Sequence, residues 1–200
     1  RTLRDYITFL GDVPRALPEA TTRVLTAPLG VRSLAKKIVG MHLVIEPMAL
    51  TIFHMLREAR VEPVLADLVG YLERDEARHV AFGVLHLPSL LSAMSPVETA
   101  DLWLWEFREV SAQLRMVREL EPHLRALGLD PRRVVDVGRE KQVRANRMLA
   151  EEAGVPIPAV EALIRFFEAR AEWEWPPEGE GVSSYRRVRG ALRALAGAVR

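Results

Sequence analysis

The chain has 200 residues, 49% of them hydrophobic, and its 28 basic and 27 acidic side chains leave a formal net charge of +1. Length and apolar content suit one domain with its own core, and the balanced charge excludes the strongly basic face on which nucleic-acid binding depends. The absence of cysteine excludes disulfides, thiolate zinc sites, iron–sulfur clusters and cysteine nucleophiles, so a metal ion must rely on carboxylates and imidazoles, donors that suit iron, manganese or zinc.

Apolar residues recur at spacings of three and four nearly throughout, with no sustained alternation, which predicts an all-α fold. No basic stretch followed by an apolar one appears at the start, so no signal peptide is expected here, and the missing Met points to processing, a fragment or residues upstream. Gly11, Pro14, Pro18, Pro28 and Gly30 break the first thirty residues into short helices or a connection. Ser33 is placed to cap a helix from Leu34 to about Ala59, with Ile38, His42, Ile45, Ala49, Phe53 and Leu56 as its inward stripe. Its apolar centre, Val39 to Leu56, carries His42, Glu46, Pro47 and His54, which argues against a transmembrane segment; a cytoplasmic protein is expected.

Pro63 opens a second helix from about Val64 to Val84, with Leu65, Leu68, Val69, Leu72, Glu76, His79, Val80 and Gly83 facing inward and Leu87 to Pro96 as a linker. A long helix follows from Val97 to about Arg125, stopped by Gly128; another runs from Asp130-Pro131 to about Glu152, and a further one from Val160 to Trp173. Residues 176–184 read as a loop before a short basic amphipathic helix. Trp103, Trp105 and Phe107 suit packing or an oligomer contact rather than base stacking, since no dense basic surface surrounds them.

The chemistry concentrates in Tyr71-LERDEARHVAFG. Glu76 and His79, three apart on a helix, share a face one turn apart, where both can bind one metal ion or two neighbouring ones. Thirty positions upstream, Glu46 sits in the apolar run HLVIEPMALTIF, a costly place for an unpartnered carboxylate. The arms from Glu46 to Glu62 and from Glu62 to Glu76 are 16 and 14 residues long, so a helical hairpin brings Glu46 to the depth of Glu76. Pro47 disfavours regular helix at Glu46: a kink or π-bulge there re-aims the carboxylate, and the plain alternative makes Glu46 the cap of a helix beginning at Pro47.

The pattern Glu46…Asp75-Glu76-x-x-His79 resembles the third and fourth helices of ferritin-like di-iron carboxylate proteins, a superfamily that includes ribonucleotide reductase small subunits, rubrerythrins, fatty-acyl desaturases and arylamine N-oxygenases. The phrase DEARHVAFG is most similar to the bacterial oxygenase or oxidase type, and the likeness covers about residues 31–90. It implies that residues 1–90 form the second half of a four-helix bundle, with residues 91–175 as additional helices on the bundle or at an oligomer interface and 176–200 as loop and basic terminal helix. By the same likeness Glu46 chelates or bridges, Glu76 bridges, His79 binds terminally, and Asp75 matches a position that orients a ligand histidine of the other half-site.

A complete site of this kind needs a second Glu and a second Glu-x-x-His, and no other Glu-x-x-His or Asp-x-x-His occurs in these 200 residues. The missing donors lie upstream of Arg1, or come from a second copy in a homodimer, or the site is degenerate. His42 reads as a donor behind Glu46, as an extra ligand, or as an ordinary satisfied helix histidine. Tyr71 reads as lining a substrate or radical path, or as core. Glu76 and His79 also fit an exposed ion pair with Arg74 and Arg78, and His54 with Glu58 a surface pair. The implied activity is a di-iron oxygenase or oxidase that takes O2, an electron donor and a small organic substrate, with two irons, or manganese, per complete site. A ferroxidase or iron store and a non-catalytic helical scaffold are the alternatives.

Overall fold

A computed structural model describes residues 2–9, 11, 16–60, 62–154, 157–176 and 181–197. The expected break at Pro14 and part of the loop expected over 176–184 lie outside the described residues, which are largely helical with no strand among them. Among the described residues nine α-helices follow in order: α1 Thr2–Phe9, α2 Glu19–Gly30, α3 Leu34–Ile38, α4 Glu46–Ala59, α5 Pro63–Leu91, α6 Pro96–Ala126, α7 Pro131–Ala153, α8 Ile157–Glu174 and α9 Ser184–Leu195. A π-helical segment, Val39–Ile45, joins α3 to α4 without a break.

The boundaries have local causes. Ser33 accepts from Lys36 N–H at the start of α3. Glu62 accepts from Val64 and Leu65 N–H ahead of Pro63. Ser95 and Glu98 form a reciprocal capping box on α6. Gly128 and Gly154, at φ of +73° and +64°, end α6 and α7 in the left-handed region where a side chain is disfavoured.

Two expectations are corrected. Helix α5 does not stop before Pro88 but runs through it to Leu91, leaving only Ser92–Ser95 as a connection. The hydrogen bond lost at Pro88 is outweighed by the burial of Leu87 and Leu91, which sit in one core cluster with Val39, Leu43, Val84, Leu102 and Leu149. The inward stripe of the first long helix is also displaced. Ala35, Val39, Leu43, Thr51 and Met55 are buried, whereas Ile38, His42, Ile45, Ala49, Phe53 and Leu56 are only partly covered. The π segment takes more residues per turn than an α-helix, so a stripe counted at α spacing drifts off the true face.

Helices α4 and α5 form the antiparallel hairpin, and α7 packs on both. Helix α6 lies against α2 and α8, and α9 packs on α8. The core crosses from the first ninety residues into the later helices: Ala20 and Met55 share a cluster with Met116, Leu124, Val134, Ala171 and Trp175. Trp175 closes this end by donating from Nε1 to Leu114 O at 3.2 Å, with the Arg118 guanidinium 3.9 Å above its ring. Leu34–Ala59 is long and apolar enough to cross a membrane by length and composition alone, yet it carries the buried Glu46 and packs on α5, α6 and α7.

Helix packing around the π segment leaves no room for added side-chain atoms. A Cβ on Gly40 would lie 2.5 Å from Pro28 Cγ and 2.7 Å from Trp105, and a Cβ on Gly83 would come under 3.0 Å from His42 Cβ. Gly83→Ala is expected to destabilise the fold by about 1–3 kcal/mol, because the atom it meets is anchored to backbone and cannot swing away. Urea denaturation of the variant against the wild type checks this.

Candidate metal centre

The site begins with Pro47. In a regular helix its ring would collide with the carbonyl four residues back, and it has no N–H to give. The chain answers by widening the preceding turn, so that Glu46 N–H donates to Met41 O, five residues back. Glu46 itself has helical dihedrals, φ −68° and ψ −40°, and is the first residue of α4, which overturns the alternative that it caps a helix beginning at Pro47. Val44 O accepts from Gln113 Nε2 of α6 at 2.6 Å, and Pro47 O accepts from Thr51 Oγ1 at 2.8 Å, so the irregular stretch is held from two sides.

The wide turn stacks His42 almost directly behind Glu46. His42 Nδ1 lies 2.7 Å from Glu46 Oε2, leaving Oε1 turned toward α5. There His79 Nδ1 stands 3.5 Å from Glu46 Oε1 and 3.2 Å from Glu76 Oε2. One donor atom each from Glu46, Glu76 and His79 lies within 4.8 Å of the others. The hairpin thus brings together the three residues that the spacing singled out.

Coverage across the cluster is uneven. The Glu46 side chain is 7% exposed and that of His79 is 56% exposed. His79 was expected to face inward with the rest of its stripe; it stands at the open edge because no described helix covers this side of the hairpin. Burial pushes the Glu46 carboxyl above its ordinary value, against the opposing pull of the His42 hydrogen bond and of the positive charge that His42 and His79 can carry; the Glu76 carboxylate pushes the same way as burial. Phe82 lies beside His42, with ring centroids 5.3 Å apart, and continues to His86 at 4.2 Å.

Two named residues lie elsewhere. Asp75 is one position, and so about 100°, round the helix from Glu76; it is exposed and pairs with Arg78 at 2.8 Å. Tyr71, expected on a path into the bundle or in its core, is on the outer surface with the Arg74 guanidinium 4.6 Å from its ring centroid. His54 pairs with Glu58 as expected and also reaches Glu73, each at 3.4 Å.

A second polar group escaped the sequence reading. Glu106 is buried between α6 and α7, and its Oε1 accepts from Gln142 Nε2 at 3.2 Å and Asn146 Nδ2 at 3.1 Å. The signals were present: a carboxylate inside LWLWEF, and two amides spaced i, i+4 on one helix face. Comparison of the chain with protein-family models, with curated proteins and with solved structures gives no match.

Burial raises the Glu106 pKa from 4.5 to about 7, only partly offset by the two amide hydrogen bonds. Its folded-state value lies above the unfolded one, so this group's contribution is fully present below about pH 4.5 and is lost as the pH rises through about 7. The loss is on the order of 3 kcal/mol. Glu106→Gln is expected to remove that slope, which unfolding free energies measured from pH 4.5 to 8 would reveal.

Proposed function

We propose that Glu46, Glu76 and His79 bind a redox-active divalent metal ion, iron or manganese, and that the chain serves an oxidoreductase of the di-iron oxygenase or oxidase type. The observation that carries this reading is the convergence of three donor atoms within 4.8 Å, drawn from two helices and from a carboxylate buried behind them. A surface ion pair accounts for Glu76 with His79; it does not account for Glu46, which is held under them by His42.

The donor set fits such an ion. Two carboxylates balance a divalent charge, and carboxylate with imidazole suits iron and manganese better than soft metals. A cation beside Glu46 also offsets the desolvation that now raises its pKa. When bound, the ion supplies one-electron chemistry and a position for O2. Glu46 anchors from below, His42 fixes which of its oxygens is offered, Glu76 supplies the second carboxylate and His79 the imidazole on the open side. Substrate approaches along that side. The ferritin-like bundle belongs to the same reading: α4 and α5 are one half of it, and the other donors come from helices outside these 200 residues or from a second copy. An electron donor and a small organic substrate complete the reaction.

Calorimetric titration with Mn2+, and with Fe2+ under anaerobic conditions, is expected to show saturable binding. His79→Ala and Glu76→Ala should each weaken it by more than about 100-fold, and His42→Phe by about 10–100-fold with helicity intact. Undiminished binding in the first two variants would sink the assignment. Separately, Mn2+ at about 100 times its dissociation constant should stabilise the wild type by about 2.7 kcal/mol. A melting curve unmoved by metal would count against a site formed only in the folded chain.

A further inference from the structure

Helix α5 carries a second pattern, one that the metal cluster leaves unused. Positions 64, 68, 71, 75, 78, 82, 85 and 89 alternate in spacings of four and three, the repeat of a coiled-coil seam; all are exposed except Leu68, which was expected to face inward and is only partly covered at the seam's edge. The seam is charged in the middle and apolar to either side: Leu68 and Tyr71 precede Asp75 and Arg78, and Phe82 and Leu85 follow. Tyr71, Phe82 and Leu85 are 65, 48 and 71% exposed, large apolar surfaces in a row on a helix whose opposite face is core.

The seam is also palindromic in chemistry. Inverted about a point between residues 76 and 77, it exchanges Asp75 with Arg78, Tyr71 with Phe82 and Leu68 with Leu85. Two α5 helices laid antiparallel about a two-fold axis at that point oppose acid to base twice, ring to ring twice and leucine to leucine twice. Laid parallel, each residue meets itself, and Asp75 faces Asp75 while Arg78 faces Arg78. Within one chain the Asp75–Arg78 pair is exposed, where such a pair contributes little; across a desolvated seam the same charges set register and orientation.

We propose that this face of α5 is the isologous interface of an antiparallel homodimer, α5 against the α5 of a second copy. The seam alone carries the proposal, which stands whether or not the chain binds metal. Its geometry has a consequence for the cluster: His79 borders the seam near the two-fold point and Glu76 lies further round towards the core, so both copies present their clusters on the same side of the helix pair. Together these hold four carboxylates and two imidazoles, the complement of a two-metal bundle site.

Sedimentation equilibrium in the presence of a chelator tests this apart from metal binding. The wild type is expected to be dimeric. Asp75→Arg and Arg78→Asp should each weaken the dimer at least about tenfold by opposing like charges, and the double swap should restore it. All of these positions are exposed, so the variants keep the monomer fold. A wild type that stays monomeric up to its solubility limit overturns the proposal, as does a dimer indifferent to both single swaps. Because the chain has no cysteine, orientation can be read by oxidation: Tyr71→Cys/Phe82→Cys should give covalent dimers and Phe82→Cys alone should not. Efficient cross-linking of the single variant means parallel pairing and refutes the model. Mn2+ titration of the same proteins after the chelator is removed separates the two readings: a dimer that binds no Mn2+ removes only the metal assignment, and a monomer that binds Mn2+ removes only the dimer.

Discussion

Pro47 has no amide proton to donate, and the geometry of the hairpin follows from how the chain accommodates that gap. The turn ahead of it opens by one residue, Glu46 N–H reaches back to Met41, and the wide segment needs two close approaches that only glycine permits, Gly40 on Pro28 and Trp105 and Gly83 on His42. The first seats the π segment on α2 and α6, and the second sets how closely α5 approaches it, and hence the distance from Glu46 to Glu76 and His79. An irregularity in hydrogen bonding, two glycines and a carboxylate cluster are therefore one arrangement rather than three.

The later helices act as a frame that keeps this arrangement rigid. Gln113 of α6 takes the Val44 carbonyl, and Lys141 of α7 donates to Leu50 O at 3.1 Å. The frame has polar fastenings of its own. Arg132 reaches Asp136 and the buried Glu172 at 2.9 and 3.0 Å, tying α7 to α8, and Glu106 with its two amides ties α6 to α7. Such buried groups lend directionality to helix packing that apolar contact alone leaves loose.

What could be read from the sequence was what is local. Ser33, Pro63, Gly128 and Gly154 mark helix ends because their signals act within a turn of the chain. Glu76 and His79 were recognisable by spacing, and Glu46 by the cost of a carboxylate among apolar neighbours. The misses are non-local. Pro88 reads as a stop until the burial of Leu87 and Leu91 is known. The buried stripe of the first long helix cannot be phased without knowing where its turn widens. His79 and Tyr71 were assigned to covered positions, but coverage depends on which neighbours are present, and three-and-four spacing marks an apolar face without saying what lies against it.

The π segment makes chain length itself a coded quantity. Dropping any one residue between Val39 and Ile45 would let the turn close into an ordinary α-helix, and everything on one side of it would rotate by about 100° relative to the other. His42 would part from Glu46, or Glu46 from α5, while composition and helicity barely changed. Along this stretch, substitutions that respect Gly40 alter only a side chain, whereas a single lost codon dismantles the cluster. The segment's information lies in its count of residues as much as in their identity.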